Sequence, residues 1–565
     1  MIKFYRFPTR VTGIAGLYLL FVIIWGCASN NGSDHAPAEV RQPNILFIMS
    51  DDHCERAIGV YNTRLSVLNP TPILDEIANE GMVFENVFCT NSICTPSRAS
   101  IMTGQYSHVN KVYDLYDGLP GDQQYLSEEM KKAGYTTAVI GKWHLKHAPQ
   151  YVDYFAVLPG QGKYMNPVIH VSEGGKKRRV RFDSTLELDI DVVDKKGHSS
   201  DVLTDLSLDW LENKRDTTRP FFLMHQFKAP HDMFVYADRY THYLENEFIP
   251  EPSNLYDQPG PFFGSVATRG KNDSLVDHIG ATVSPQPHKR NLAHVYRSEI
   301  RELTGKENPT QDEITHHAYQ LYLKEYLRCV KGIDDNLARI MDYLETNDLL
   351  ENTIIIYTSD QGMMLGEHDF IDKRWMYEES SRMPLIVRYP EMVCPGSRND
   401  WLINNTDLAP TILELAGVET PEYMQGRSFV PAMKGEEEPG DWREGTYYRY
   451  WMHMAHRMGN PAHFGIRTKQ YKLIFYYGVD YTNIHKDEEV AGNDGNRFWE
   501  STPPGWELYD LAKDPNEMFN QYSNPDYQEV VKDLKQLLRE KRKEIGDTDE
   551  AFPRIREITE ENWDE

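Results

Sequence analysis

The chain has 565 residues, of which 40% are hydrophobic and 12% aromatic, ample for the core of one large domain and a smaller one. Its formal net charge of −26 excludes a nucleic-acid partner, because phosphate binding needs a basic field. The same charge requires that any site for an anionic substrate be made locally positive by a few lysines, arginines, histidines or a metal ion.

At the N-terminus, Lys3, Arg6 and Arg10 precede an apolar run from Ile14 to Trp25, too short for a membrane span and readable as an export signal. The run stops at Ile24-Trp25-Gly26-Cys27, which is similar to a bacterial lipoprotein cleavage box, and a polar stretch from Ala28 to Arg41 follows. The expectation is a signal at 1–27 and a tether at 28–41. Lipidation at Cys27 and plain secretion both fit. Either places the protein in the periplasm or at the cell surface, touching the membrane only through a lipid anchor.

Asn44 to Ser50 is a short apolar run that predicts a buried strand of a parallel sheet, and it ends in Asp51-Asp52. Asn69 to Gly81 predicts an amphipathic helix with proline near its start and glycine at its end. A strand-like run from Met82 then delivers Cys94. Ser127 to Gly134 predicts a helix, and Thr136 to Ile140 a strand that runs into Lys142 and His144. Pro220 to His225 predicts a further strand, running out to Lys228-Ala229-Pro230-His231-Asp232, and Thr353 to Ser359 another, ending in Asp360-Gln361. Helices are expected over Asp201 to Asn213 and Glu313 to Thr346.

Four apolar strands thus each hand over to a polar cluster at the C-terminal end. In open α/β sheets that is where ligands sit. Adjacent hard oxygen donors such as Asp51 and Asp52 suit calcium or magnesium, although an isolated pair more often belongs to an acidic surface loop.

Two stretches read as insertions. Val168 to Ser199 carries the basic run Lys176 to Arg179 and an alternating pattern from Ser184 to Val193 that suggests a hairpin. Asn254 to Asn308 is polar, with scattered prolines and glycines; such loops often shape a substrate pocket. From Met383 a further strand is expected. Asn404 to Gly417 predicts a helix capped by Thr406 or Asp407. Antiparallel strands are expected over Thr446 to Trp451, Phe464 to Tyr477 and Trp506 to Leu511, then a helix from Tyr527 to Ile545. The tryptophan and tyrosines of Tyr447 to Trp451, with His453 and His456, offer a rim for sugar stacking or packing for a core. The fold class is α/β: a large mixed, mostly parallel sheet flanked by helices on both faces (42–439), plus a smaller C-terminal α+β part with an antiparallel sheet (440–565). The six cysteines are too few for a disulfide framework.

One motif organises the rest. Cys94-Thr95-Pro96-Ser97-Arg98 lies where a helix is expected to begin, with Pro96 suited to its first position. A thiol at a helix N-terminus meets free N–H groups and the positive end of the dipole. Arg98, about one turn on, can reach the same spot.

The motif resembles the C-x-P-S-R signature of the formylglycine-dependent sulfatases of the alkaline phosphatase-like superfamily. Gly141-Lys142-Trp143-His144, Ala229-Pro230-His231, the run from Ser359 to His368, the run from Asp407 to Gly417 and Gln425-Gly426-Arg427-Ser428 carry the resemblance over almost the whole mature chain. It implies that Cys94 is oxidised to formylglycine by a maturation enzyme. One hydroxyl of the hydrated aldehyde would attack sulfur, and the second would release sulfate by collapse to the aldehyde. It implies a calcium ion held by Asp51, Asp52, Asp360 and Gln361 and touching residue 94. It further implies that Arg98 holds the formylglycine oxygen, Lys142 and Lys373 grip sulfate, His144 accepts the second hydroxyl's proton and His231 protonates the leaving alcohol. Ser97 belongs to the modification signal. His368 and Arg374 are expected at the substrate. The implied substrate is a sulfated carbohydrate, a glycosaminoglycan, mucin or algal polysaccharide fragment, and the run from Ser359 to Ser380 resembles the branch of glucosamine-6-sulfatase-like and iduronate-sulfatase-like enzymes. The rival expectations are a phosphonate or phosphodiester hydrolase using the same formylglycine, and a glycan-binding lipoprotein without catalysis.

Overall fold

Alternate residues of the strand Asn44–Asp51 face opposite cores. Ile45, Phe47 and Met49 join one hydrophobic cluster, Leu46 and Ile48 the other. A strand covered on both faces has no side free for polar residues, which is why the run is continuously apolar until Ser50.

The structure, a computed structural model, describes residues 42–181, 187–256, 262–286, 288–482 and 501–564. The expected signal, Cys27 and the tether lie outside the described residues. Among those described, eleven strands form one sheet, in the spatial order 397–399, 82–84, 385–388, 353–359, 44–51, 221–230, 136–142, 154–158, 168–171, 187–194 and 176–181. Strands 353–359, 44–51, 221–230, 136–142 and 154–158 run parallel to their neighbours in that order, and the antiparallel pairs lie toward the edges. The strand that closes on Lys142 needs a glycine. Gly141 has φ +119°, and a Cβ there would lie 1.8 Å from the backbone oxygen of Gln226 on the next strand.

Helices Pro72–Asn79, Ser199–Asn213 and Gln311–Thr346 pack on one face through residues such as Leu74, Trp210 and Ile333. Helices Cys94–Thr103, Tyr125–Lys132 and Leu408–Leu415 cover the other, through Ile101, Met130 and Ile412. The fold class is as expected: a large mixed, mostly parallel sheet between helices, with a separate antiparallel sheet in the C-terminal part. That second sheet runs Gly445–Tyr450, His463–Thr468, Tyr471–Tyr476 and Gly505–Asp510 in sequence order. Helix Gln528–Ile545 buries Leu534 and Leu538 against it. A further helix, Pro553–Asn562, adds Ile555 to the same core; its alternation is too short to stand out in the sequence.

Three expectations change. The run from Met82 toward Cys94 is two short strands, Met82–Phe84 and Val87–Phe88, followed by an irregular segment. The insertion after Val168 does form a hairpin, Lys176–Arg181 against Glu187–Asp194, but it extends the main sheet as its outer edge and is no separate excursion. Pro96 is the third residue of its helix, which begins at Cys94 itself. Cys54, Cys89, Cys94 and Cys329 are buried free thiols.

Candidate active site

The four strands that end in polar clusters are contiguous in the sheet: 353–359, 44–51, 221–230 and 136–142. Parallel alignment puts all four C-terminal ends on one edge. Asp360, Asp51, Asp52, His231, Lys142 and His144 therefore converge although as many as 309 residues separate them. The backbone at Asp52 (φ 67°) and His144 (φ 54°) turns left-handed as each strand ends, a conformation costly enough for non-glycine residues to be concentrated at functional sites.

Helix Cys94–Thr103 is buried along all ten residues and points its N-terminus into this convergence. The Cys94 Sγ lies 3.4 Å from Asp51 Oδ1 and 3.7 Å from both Lys142 Nζ and Gln361 Nε2. Arg98 reaches the same carboxylates: Nε donates to Asp360 Oδ2 at 2.9 Å, and Nη2 is 3.6 Å from Asp51 Oδ1. Lys142 pairs with Asp51 and Lys373 with Asp52. His231 Nε2 is 3.7 Å from Asp52 Oδ2. The Ser97 hydroxyl donates to the Asp360 backbone oxygen and accepts from Asn405 Nδ2 at 2.9 Å, so its place is in the turn beneath the site.

Charge decides the behaviour of these groups. Three buried carboxylates, Asp51, Asp52 and Asp360, meet three buried cations, Arg98, Lys142 and Lys373. Burial pushes the Asp51 carboxyl up, but Lys142, His231, Arg98 and Lys373 outweigh it and hold the group well below the usual carboxylate range. Asp360 is pushed up to about 8, first by burial and then by the Asp51 carboxylate. The opposite shifts of two neighbouring acids are those of carboxylates that compete for the same positive charges. Burial, then Asp51, push the Cys94 thiol up to about 12, so the unmodified side chain stays a thiol at neutral pH. Burial and the nearby Lys142 and Lys146 ammoniums hold His144 well below the usual histidine range. Its buried Nδ1 has no hydrogen-bond partner, which leaves a neutral imidazole free to take a proton.

The donor set fits a divalent cation. One oxygen from each of Asp51, Asp52 and Asp360 lies within 4.8 Å of the others. Oε1 of Gln361 is buried without a hydrogen-bond partner, an acceptor with nothing to accept. All-oxygen carboxylate and amide donors suit calcium or magnesium. Because the three carboxylates are already balanced by three cations, a dication would leave the site positive, as a sulfate ester requires.

Two residues expected at the substrate are held by neighbouring side chains. The His368 ring stacks 4.2 Å from Phe263 at an interplanar angle of 19°, and both are buried. Arg374 bonds Asp372 at 2.9 Å and the Tyr450 hydroxyl at 3.2 Å, and its Nη2 is 3.4 Å from His456 Nδ1. These three contacts hold it beside Lys373. Tyr447, Tyr448, Tyr450 and Trp451 are core residues.

Other residues escaped sequence reasoning. Gln226 Oε1 accepts from Arg98 Nη1 at 3.0 Å. Lys228 sits 4.7 Å over the Tyr164 ring, and burial followed by Lys142 brings it down to about 8. Asp232 Oδ1 is 2.9 Å from His231 Nδ1, and its Oδ2 accepts from Arg290 Nη2 at 2.9 Å. The period of two along 226, 228 and 230 was the signal for the first pair. For Arg290, 58 residues from Asp232, the sequence carried none.

The comparisons agree with this geometry. The family model described as Sulfatase matches residues 43–418, and one described as N-sulphoglucosamine sulphohydrolase, C-terminal, matches 366–491 and 496–544. The chain is 36% identical to an N-acetylglucosamine-6-O-sulfatase of Bacteroides thetaiotaomicron over 90% of its own length and 88% of the relative's. It superposes with a TM-score of 0.74, at 35% identity, on a solved structure described as in complex with its substrate D-glucosamine-2-N,6-O-disulfate, covering 90% of this chain and 99% of that one. A phosphonate monoester hydrolase from Silicibacter pomeroyi shares the fold at 20% identity and a TM-score of 0.60, over 89% and 95% of the two chains. A cysteine at a helix N-terminus, three convergent carboxylates and the surrounding cations, matched across nine-tenths of the chain, place the protein in the sulfatase family, as a sulfuric ester hydrolase.

Proposed function

We propose that the protein releases inorganic sulfate from a sulfated carbohydrate, and specifically from the 6-position of a glucosamine-type sugar. The observation that carries the reading is the seat of Cys94: 3.4 Å from Asp51, facing Lys142 and Gln361, at the focus of the carboxylates. The relatives described above, named for an N-acetylglucosamine-6-O-sulfate activity and solved with a 6-O-sulfated glucosamine, support the substrate.

Converted to formylglycine, residue 94 supplies a hydrated aldehyde as nucleophile, and a calcium ion held by Asp51, Asp52, Asp360 and Gln361 supplies charge against sulfate. This chain's own residues do the rest. Lys142 and Lys373, buried beside the carboxylates, hold sulfate oxygens. Arg98 fixes the residue-94 side chain against Asp51. His144, neutral at working pH, takes the proton whose loss allows release of sulfate. His231 gives a proton to the departing sugar oxygen, with Asp232 holding Nδ1 so that Nε2 faces the cluster. Export through the N-terminal segment, with lipidation at Cys27, and a maturation enzyme acting on Cys94 complete the proposal.

The test is the mass of the peptide carrying position 94 together with sulfate release from 6-O-, 4-O- and 3-O-sulfated N-acetylglucosamine. An aldehyde mass and release from the 6-O-sulfate alone, abolished in Cys94→Ala, support the reading. Cleavage of a phosphonate monoester with no sulfate released from any sugar would sink it in favour of the phosphonate hydrolase. Glycan binding by an aldehyde-bearing chain that hydrolyses neither ester would point to the non-catalytic lipoprotein.

A further inference from the structure

Strand 221–230 changes register just where it reaches the site. Met49 pairs with Gln226 and Asp51 with Pro230, so two steps along one strand match four along its neighbour. On the other flank, the pairing with strand 136–142 stops at Gly141 and Gln226. Residues 227–229 therefore have no register partner on either side. Bulges of this kind concentrate beside active sites, where the extra chain re-aims a side chain. At the middle of this one stands Lys228.

The bulge seats Lys228 among groups of the reacting centre. Two residues before it, Gln226 accepts from Arg98. Three residues after it, His231 Nε2 faces Asp52. The Tyr164 hydroxyl donates to the His231 backbone oxygen at 2.5 Å, which fixes the ring that lies 4.7 Å from the Lys228 ammonium. The charges that act on Lys228 belong to the site as well: Lys142, then Asp51, Asp232 and Cys94.

No acid answers this charge. Lys228 is 5% exposed, yet among the described residues no oxygen accepts a hydrogen bond from its ammonium and no carboxylate lies at ion-pair distance. The two carboxylates that attract it are held by others, Asp51 by Lys142 and Asp232 by His231 and Arg290. Arg98, Lys142 and Lys373 already match the three carboxylates of the cluster, so Lys228 is positive charge in excess. Buried ions are ordinarily paired and hydrogen-bonded. One tyrosine face offers an ammonium no acceptor for its three donors beyond a weak attraction.

We propose that Lys228 is a further substrate-binding residue, whose ammonium contacts an oxygen of the bound sulfate ester as a third lysine beside Lys142 and Lys373. Those two are drawn to carboxylates, whereas Lys228 keeps its donors for the anion. This rests on the sulfate-releasing reading above and adds a residue to the same site.

The test is Lys228→Met, which keeps an unbranched side chain and removes the charge. In the mature full-length chain, kcat/KM for 6-O-sulfated N-acetylglucosamine falls about tenfold or more, the worth of a charged hydrogen bond. Resistance to denaturant does not fall, since apolar atoms replace an unpaired buried charge. A kcat/KM within about twofold of wild type overturns the proposal, and so does a loss of activity that only follows a loss of stability. A second measurement reads the anion directly. In calorimetric titration with inorganic sulfate, the Cys94→Ala chain binds at least about tenfold tighter than the Cys94→Ala/Lys228→Met chain. That difference stands even where no sulfate is released from any sugar, the result that sinks the function above. Equal binding by the two chains overturns the role of Lys228 alone.

Discussion

Arg98 Nε donates to Asp360 Oδ2 at 2.9 Å, which locks the helix that presents Cys94 to the strand end that completes the carboxylate cluster. Both side chains are buried. Removing one partner leaves an uncompensated buried charge, at a cost of about 3–5 kcal/mol. Arg98→Ala should therefore lower stability by that amount in denaturant unfolding and abolish sulfate release. Arg98→Lys should recover part of the stability and little of the activity, because an ammonium cannot reproduce the fork that spans Asp360, Asp51 and Gln226. A variant within about 1 kcal/mol of wild type would show that the pair is not what holds the helix.

The His231–Asp232 contact makes a different prediction. Without the carboxylate, Nδ1 of His231 keeps the Asp232 backbone oxygen but loses the charged partner 2.9 Å away that helps to orient the ring, a change typically worth about 10–100-fold. Asp232→Asn should lower kcat/KM on sugar sulfates by that factor. The same variant should barely affect an aryl sulfate, whose phenolate departs without protonation. Equal losses on both substrates would mean that Asp232 supports the fold and not the proton.

Three carboxylates held together with an unpartnered amide oxygen favour the ion-bound state. Calcium at 100 times its Kd adds about 2.7 kcal/mol to the native state. Thermal unfolding in calcium should occur a few degrees above that in chelator, and Asp360→Asn should remove the difference. Identical melting curves for the wild type in both buffers would argue against a bound cation.

Asp369 offers a stability test away from the site. Burial, against hydrogen bonds from Ser284, pushes its carboxyl up from 3.8 to about 7. The folded state then binds more protons than the unfolded one between those values, so stability falls as pH rises through that window, by up to about 1.4 kcal/mol per pH unit. Asp369→Asn, which cannot ionise, should lack this slope. The variant should gain on the wild type from pH 4 to pH 7 in unfolding free energy, and a pH-independent gap would contradict the shift.

Much of the site is legible because its residues lie next to apolar runs that can only be strands. Asn44 to Ser50 announces Asp51, and Thr353 to Ser359 announces Asp360, since a run covered on both faces must end where polar side chains begin. The helices follow from 3.6-residue periodicity and capping, as Gln311–Thr346 shows with its Thr310/Glu313 capping box. The hairpin after Val168 is visible as alternation, yet nothing in that alternation says which sheet edge it joins. The stack of His368 on Phe263 is not legible either, because a motif does not say which way a side chain turns.

By itself the sequence determined the class of the fold, the four strand ends that carry chemistry and the motif around Cys94, since all of these are local patterns of burial, turn and cap. Only the tertiary structure decided that the four strands are neighbours, that Lys142 and Lys373 lie on Asp51 and Asp52, and that Arg290 reaches Asp232 beside His231. These contacts span tens to hundreds of residues. Their energy comes from charges desolvated together, and no local stretch of chain records which charges will meet.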